Sequence, residues 1–267
     1  MKTIAVVNQK GGAGKTTTAV QLCAALGLRG HSVLGIDLDP QANFTATSTV
    51  ASGGVAEDAE TMHDVLLGRA LISDVVVETA WGKVAPASLS HKLLATVGSI
   101  LADDPGKTYR LREAIESARD DVDLDYDFIV IDTPPSRDVL SYNALVAADG
   151  VVVPSNAEEY SINGIKDIVD SIDLTRRYGN PRLEILGIVL TQVRQNLILH
   201  RDMTKAARTM ADAVSTVLFE PSIRQSCVVG ESQAVGQSVF DYAPGAGVTA
   251  DYDKLCTSVL DRLKEVG

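Results

Sequence analysis

A short apolar run at 3–7 leads directly into Asn8-Gln9-Lys10-Gly11-Gly12-Ala13-Gly14-Lys15-Thr16-Thr17-Thr18, and an amphipathic stretch over 16–29 follows without a break. A strand, a glycine-rich turn and a helix in that order leave few folds open. The layout aims successive backbone N–H groups and a helix N-terminus at one point, which is how a chain receives phosphate. Gly11, Gly12 and Gly14 let the backbone wrap closely, and Lys15 reaches the β- and γ-phosphates of a bound nucleotide. The Thr16 hydroxyl is placed to ligate Mg²⁺, and Ala13 and Thr17 complete the cradle.

The rest of the chain repeats this rhythm. Aliphatic runs bounded by Gly, Asp and Pro recur at 32–37, 128–132, 150–154 and 185–191, with longer amphipathic segments between several of them. The pattern predicts an α/β fold: a mainly parallel central sheet flanked by helices, joined by right-handed crossovers. Helices are expected over 16–29, 109–118, 139–147, 162–178, 200–211 and 249–264. Residues 49–106 are rich in Ala, Ser, Gly and Asp with weak periodicity; a short helix near 62–67 and a strand near 92–97 are expected there. No repeat, low-complexity linker or composition break divides residues 1–267, so they are read as a single domain.

The general pattern G-x-x-x-x-G-K-[ST] puts a glycine at position 9, where this chain has Gln9, and a second lysine stands at position 10. Lys10-Gly11-Gly12-Ala13-Gly14-Lys15-Thr16 resembles the deviant Walker A motif, KGGxGKT, of the ParA/MinD family of dimerising P-loop ATPases. The resemblance implies ATP and Mg²⁺ as cofactors. It also implies a role for Lys10: contact with the phosphates bound by a second, facing subunit, where its charge assists phosphoryl transfer only once two protomers close. Asp37-Leu38-Asp39-Pro40-Gln41 resembles the family's DxDPQ segment, which implies that Asp39 positions or activates the attacking water and that Asp37 supports the Mg²⁺ shell. Asp132, before Thr133-Pro134-Pro135-Ser136, resembles the Walker B carboxylate, which holds Mg²⁺. All three aspartates fall just past the expected carboxyl ends of strands, where open α/β sheets bind ligands. Further similarity to partition ATPases lies in Pro134-Pro135-Ser136 followed by Asn143-Ala144-Leu145, and in Val153-Pro154 followed by Glu158-Glu159-Tyr160 and Gly164. It spans roughly residues 2 to 165 and is looser beyond.

Charge bears on partners. The net charge of −11 counts against nucleic acid as a sum, yet from Arg176 to Arg208 there are seven bases against two acids. Partition ATPases of the resembled family bind nonspecific DNA as ATP dimers. Arg194 falls near where that family places a DNA-contacting arginine, and Arg201, Lys205, Arg208 and Arg224 extend the surface. Pairing of two protomers doubles a patch too weak alone. The plain alternative is that these bases solvate a helix and pair with local acids.

The other relatives of the loop are less well matched. Tyr252, Leu255, Cys256, Val259, Leu260 and Leu263 form a helical stripe, but the opposite face mixes four acids with three bases, so docking on the core is expected rather than binding to anionic lipid. Cys23, Cys227 and Cys256 form no CxxC pair, His31, His63, His91 and His200 show no ligand spacing, and Cys23 is expected to be buried. No signal peptide or membrane span is read, and a first strand at Thr3 leaves no room for an amino-terminal helix-turn-helix. The resemblance thus implies a cytoplasmic, slow, partner-stimulated ATP hydrolase for plasmid or chromosome partition. It would be a homodimer with ATP, nucleoid-associated in that state and driven by a ParB-like adaptor. A MinD-like or protein-cargo-positioning ATPase would share the same chemistry.

Overall fold

In the first strand Ile4 and Val6 alternate with Thr3 and Ala5, and all four are buried, so this strand needs a covering layer on each face. The computed structural model describes residues 1–50, 53–56, 58–85, 91–119, 125–156, 162–194 and 198–266. Its elements run β1 (Lys2–Val6), α1 (Lys15–Leu28), β2 (Val33–Asp37), α2 (Asn43–Thr49), α3 (Met62–Leu66), α4 (Ile72–Val75), β3 (Val77–Thr79), β4 (Gly82–Ala85), α5 (His91–Ile100) and α6 (Arg110–Arg119). They continue with β5 (Phe128–Asp132), α7 (Val139–Ala147), β6 (Gly150–Asn156), α8 (Ile162–Tyr178), β7 (Glu184–Thr191), α9 (Ile198–Ala213), α10 (Cys227–Ala234), α11 (Val239–Tyr242) and α12 (Gly247–Val266).

The sheet order is β3-β4-β2-β5-β1-β6-β7, parallel throughout except where β3 pairs antiparallel with β4 at the edge. Ala5, Ile129, Ile131, Val151 and Ile188 pack with α3 and α5–α9 on one face. Ile4, Val6, Val130, Val152 and Val189 pack with α1, α11 and α12 on the other. Each fully buried Leu, Ile or Val contributes about 1.5–3 kcal/mol relative to exposure, so this two-faced aliphatic core sets the positions of the strand ends. β1 sits between β5 and β6, and the sequence order turns back there, which gathers the loops after β1, β2 and β5 at one carboxyl edge.

One expectation is overturned. The stretch 92–97, expected as a strand, lies inside α5. Leu94, Val97 and Leu101 recur at helical spacing and are buried, while Leu93 and Ile100 face outward. The short helix expected near 62–67 is α3. The β3–β4 hairpin and α2 were not anticipated. α2 is threonine-rich and held by packing: Phe44 fills the space above Gly35, where a Cβ would stand 2.5 Å from the ring, and meets Trp81 edge to face. The stripe of α12 docks as expected, with Tyr252, Leu255, Cys256, Val259 and Leu263 buried against the α1 side of the sheet and Leu260 partly so. No helix among the described residues is long and apolar enough to cross a membrane.

Candidate functional site

The turn between β1 and α1 takes its shape from its glycines. Gly12 and Gly14 adopt φ of 76° and 84°, a left-handed region that costs glycine nothing, and Gly14 opens α1 with no side-chain cap. The N–H groups of Gly11 to Thr17 find no acceptor among the described residues. Such a run of aligned donors at a helix N-terminus is an anion site. Asn8 steadies the approach, donating to the Pro154 carbonyl at 2.6 Å and accepting from the Lys10 N–H at 2.9 Å. Lys15 is 6% exposed and already folded over the loop, its Nζ donating to the Lys10 carbonyl at 3.2 Å. The Lys10 side chain lies on the exposed rim.

The carboxylates converge from two neighbouring strands. Asp37 and Asp132 are register partners at the ends of β2 and β5, and both are completely buried. Asp37 is fully engaged, accepting from the Asp39 N–H at 3.0 Å and from the Thr45 N–H and hydroxyl at 2.8 and 2.7 Å. It therefore anchors the loop that carries Asp39 and the start of α2. Asp132 differs. One oxygen accepts from the Thr133 N–H at 3.1 Å, while its Oδ2 is buried with no hydrogen-bond partner among the described residues. An orphaned carboxylate oxygen beside the Thr16 hydroxyl suits a hard, oxygen-ligated cation such as Mg²⁺. Among the described residues no cluster of three His, Cys, Asp or Glu could hold a metal by protein ligands alone, so phosphate and water would complete that shell.

These burials shift the titrations. Burial pulls the Lys15 ammonium below the ordinary lysine range, opposed by Asp132 and Asp39 nearby. Burial also raises Asp132 well above the carboxylate range, with the Asp37 charge adding to it and Thr16 and Lys15 opposing. Asp37 is pushed up to about 6, by burial first and against its three donors. A carboxyl raised on folding binds its proton more tightly in the native state, so its contribution falls as pH rises from the unfolded value near 4 through 6, by about 3 kcal/mol in all. Carbon-13 carboxyl titration of the nucleotide-free protein is expected to place the Asp37 midpoint near 6. A midpoint below 5 would contradict this burial.

The loop lines a cleft of roughly 670 Å³ that also takes in Asp39, Gln41, Gln192 and Gln233. A second hollow of about 270 Å³ adjoins it at Gly14 and Thr17, walled by Ile223, Val229 and Tyr252 and edged by Gln192, Gln225 and Gln233. Sequence reasoning missed these walls. Thr191 donates to the Ala13 carbonyl at 3.0 Å, Gln192 to the Gly12 carbonyl at 2.9 Å and Gln233 to the Thr17 hydroxyl at 3.0 Å. They come from β7 and α10, far along the chain and outside any local motif. Cys23 and Cys256 are buried and Cys227 is exposed.

The candidate DNA bases fall into two groups, Arg194 with Arg224, and Arg201, Lys205 and Arg208 along α9. Arg194 lies three residues past the end of β7 and hydrogen-bonds Gln225, and a parallel bridge from Val193 to Arg224 places the two segments side by side. Arg224 forks onto the buried Asp251 at 2.7 and 2.8 Å, which commits its guanidinium within the protein. On α9, Arg208 pairs with Glu220, and Lys205 is 4.0 Å from Asp202. The side chain of Arg201 and the Glu158-Glu159-Tyr160 segment lie outside the described residues, while Gly164 lies in the first turn of α8.

Comparison with known proteins agrees with this geometry. A family model described as an AAA domain matches residues 1–185. The chromosome partitioning protein ParA of Caulobacter vibrioides is 35% identical over 268 residues, covering 99% of this chain and 96% of that protein. The sporulation initiation inhibitor protein Soj of Bacillus subtilis is 33% identical, covering 95% and 97%. Among solved structures, cobyrinic acid a,c-diamide synthase from Mycobacterium smegmatis, determined with bound ADP and magnesium and with a bound ATP analog and magnesium, superposes with a TM-score of 0.80 at 29% identity. It covers 99% of this chain and 96% of that one. With the phosphate loop, the paired strand-end aspartates and these full-length similarities in hand, the chain belongs to the ParA/Soj family of partition ATPases.

Proposed function

We propose that this protein binds ATP and Mg²⁺ in the cleft around the β1–α1 loop, closes into a nucleotide sandwich dimer, holds DNA nonspecifically and lets go when hydrolysis opens the dimer. The observation that carries the reading is the run of N–H groups from Gly11 to Thr17 without acceptors among the described residues, folded around Lys15 and bordered by Asp39 and Asp132. Lys15 binds the β- and γ-phosphates, and Thr16 with Asp132 holds the magnesium ion, which neutralises phosphate charge when bound. Asp37 keeps the Asp39 loop in place, and Asp39 orients the attacking water and takes up its proton. Lys10, on the exposed rim, reaches the triphosphate of a facing protomer, which makes dimer closure and turnover one event. The hollow at Gly14 and Thr17, with its apolar wall and amide edge, has the chemistry to receive the base.

The ParA and Soj names of the similar proteins support DNA partition, with a ParB-like adaptor stimulating hydrolysis and a cytoplasmic protein that joins the nucleoid in its ATP state. Arg194, Arg201, Lys205 and Arg208 are proposed as the DNA face, with Arg224 at its edge. The docked stripe of α12 supports this reading over a membrane-bound one. Sedimentation and DNA shift with ATP, ADP and no nucleotide, at stated salt and with and without anionic vesicles, test the whole scheme. DNA retention by an ATP dimer is expected, and an ATP-dependent vesicle complex in its place would overturn it. Arg194→Glu is expected to weaken DNA retention about tenfold at 0.1 M salt with ATP affinity unchanged. Undiminished retention would remove Arg194 from the face.

A further inference from the structure

We infer that the carboxyl end of β7 fixes which way the peptide groups of the phosphate loop face, with Thr191 and Gln192 as positioning residues for the incoming phosphates. The inference rests on the nucleotide-binding reading above and concerns residues that no motif assigns.

A peptide group presents either its N–H or its carbonyl to a bound anion, because the two point in opposite directions across a trans peptide. Turning the plane over exchanges attraction for repulsion. In most loops side chains restrict such a turn, but Gly11, Gly12 and Gly14 remove that restriction. Packing does not replace it: among the described residues no heavy atom lies within 4 Å of where a Cβ would stand at Gly11 or Gly12. What holds the planes is hydrogen bonding on the far side. Gln192 Nε2 takes the Gly12 carbonyl at 2.9 Å, and Thr191 Oγ1 takes the buried Ala13 carbonyl at 3.0 Å. The N–H groups of Ala13 and Gly14 belong to those same two planes, so they are turned away from β7 and toward the cleft. The third tether, from Lys15 Nζ to the Lys10 carbonyl, is given up once Lys15 engages phosphate. The two bonds from β7 remain.

The backbone at Gln192 fits this task. Strand alternation would send residues 191 and 192 to opposite faces. Instead Gln192 adopts a left-handed φ of 56°, unfavourable for a residue with a Cβ, and both side chains reach the same loop. The kink is held from two sides, by the Asn156 amide donating to Gln192 Oε1 at 3.1 Å and by the Val193 N–H donating to the Ile223 carbonyl at 3.0 Å.

The test measures fluorescent ADP binding without magnesium, alongside melting of the nucleotide-free protein and the steady-state turnover of ATP. Gln192→Met, which keeps length but has no donor, and Thr191→Val are each expected to weaken ADP about tenfold. Thr191→Ser, which keeps the hydroxyl, restores affinity to within about twofold of wild type. Gln192→Gly, relieved of the left-handed strain, melts no lower than wild type yet binds ADP as weakly as Gln192→Met. Wild-type affinity in both Gln192→Met and Thr191→Val, or a loss in Thr191→Val that Thr191→Ser shares, overturns the inference alone. Failure of the unaltered protein to bind either nucleotide overturns the reading beneath it as well.

Discussion

Lys15→Ala is expected to bind ATP at least a hundredfold more weakly than the unaltered protein, a loss of about 3 kcal/mol. The size follows from where the ammonium sits. It is nearly buried, its pKa is lowered chiefly by desolvation, and it is turned over the loop before any phosphate arrives. A cation held in that state loses little freedom and little hydration on meeting phosphate, so the charge-assisted bond it forms carries more free energy than a surface lysine's. Its removal also takes away the one positive charge that Asp132 and Asp39 face in the cleft, among the described residues for which a charge interaction is resolved. Equilibrium titration with a fluorescent ATP analogue measures the change, and an affinity within threefold of wild type would move the nucleotide elsewhere in the molecule.

The loop could be read from its sequence because its constraints are local. Glycine at 12 and 14 answers to two left-handed backbone positions, and the lysine and threonine that follow lie one helical turn from the same point. The strand-end aspartates were legible for a related reason: each closes an aliphatic run whose burial on both faces leaves its last residue at the sheet edge. What escaped was set by tertiary contacts. α2 forms from Asn43-Phe44-Thr45-Ala46-Thr47-Ser48-Thr49, a segment of low helix propensity, because Phe44 has a glycine slot to fill and Asp37 accepts two bonds from Thr45. The 92–97 stretch reads as a strand when Leu93 is counted as core. Leu94, Val97 and Leu101 are the buried set, and that set is helical. The β3 and β4 strands have three and four residues, too few for a period-two signal to stand out. Gln192 and Gln233 are polar residues on β7's end and α10, and only the fold brings them to the loop.

Asp39→Ala is expected to keep ATP affinity within about threefold of wild type while turnover falls at least a hundredfold and ATP-bound dimers accumulate. The carboxylate is oriented twice. Its backbone N–H is tied to Asp37, and its Oδ1 accepts the Gln41 N–H at 2.9 Å in a turn closed by the Ala42 N–H on the Asp39 carbonyl at 2.8 Å. Ala42 completes the turn at a left-handed φ of 54°, a costly conformation for alanine that persists because the flanking bonds hold it. Asp39 borders the cleft, and an acidic side chain has no attractive contact to offer triphosphate. Its removal costs no ground-state binding. What it does offer is an acceptor for a proton, at the place where water would approach the γ-phosphate. Without that acceptor the barrier to hydrolysis rises and the closed state outlives its trigger, so dimer lifetime lengthens in step with the loss of turnover. Phosphate release in a single turnover, followed beside sedimentation with ATP, separates the two arms. A monomer that hydrolyses at the normal rate would show that the proton goes to another group and that Asp39 serves only its turn.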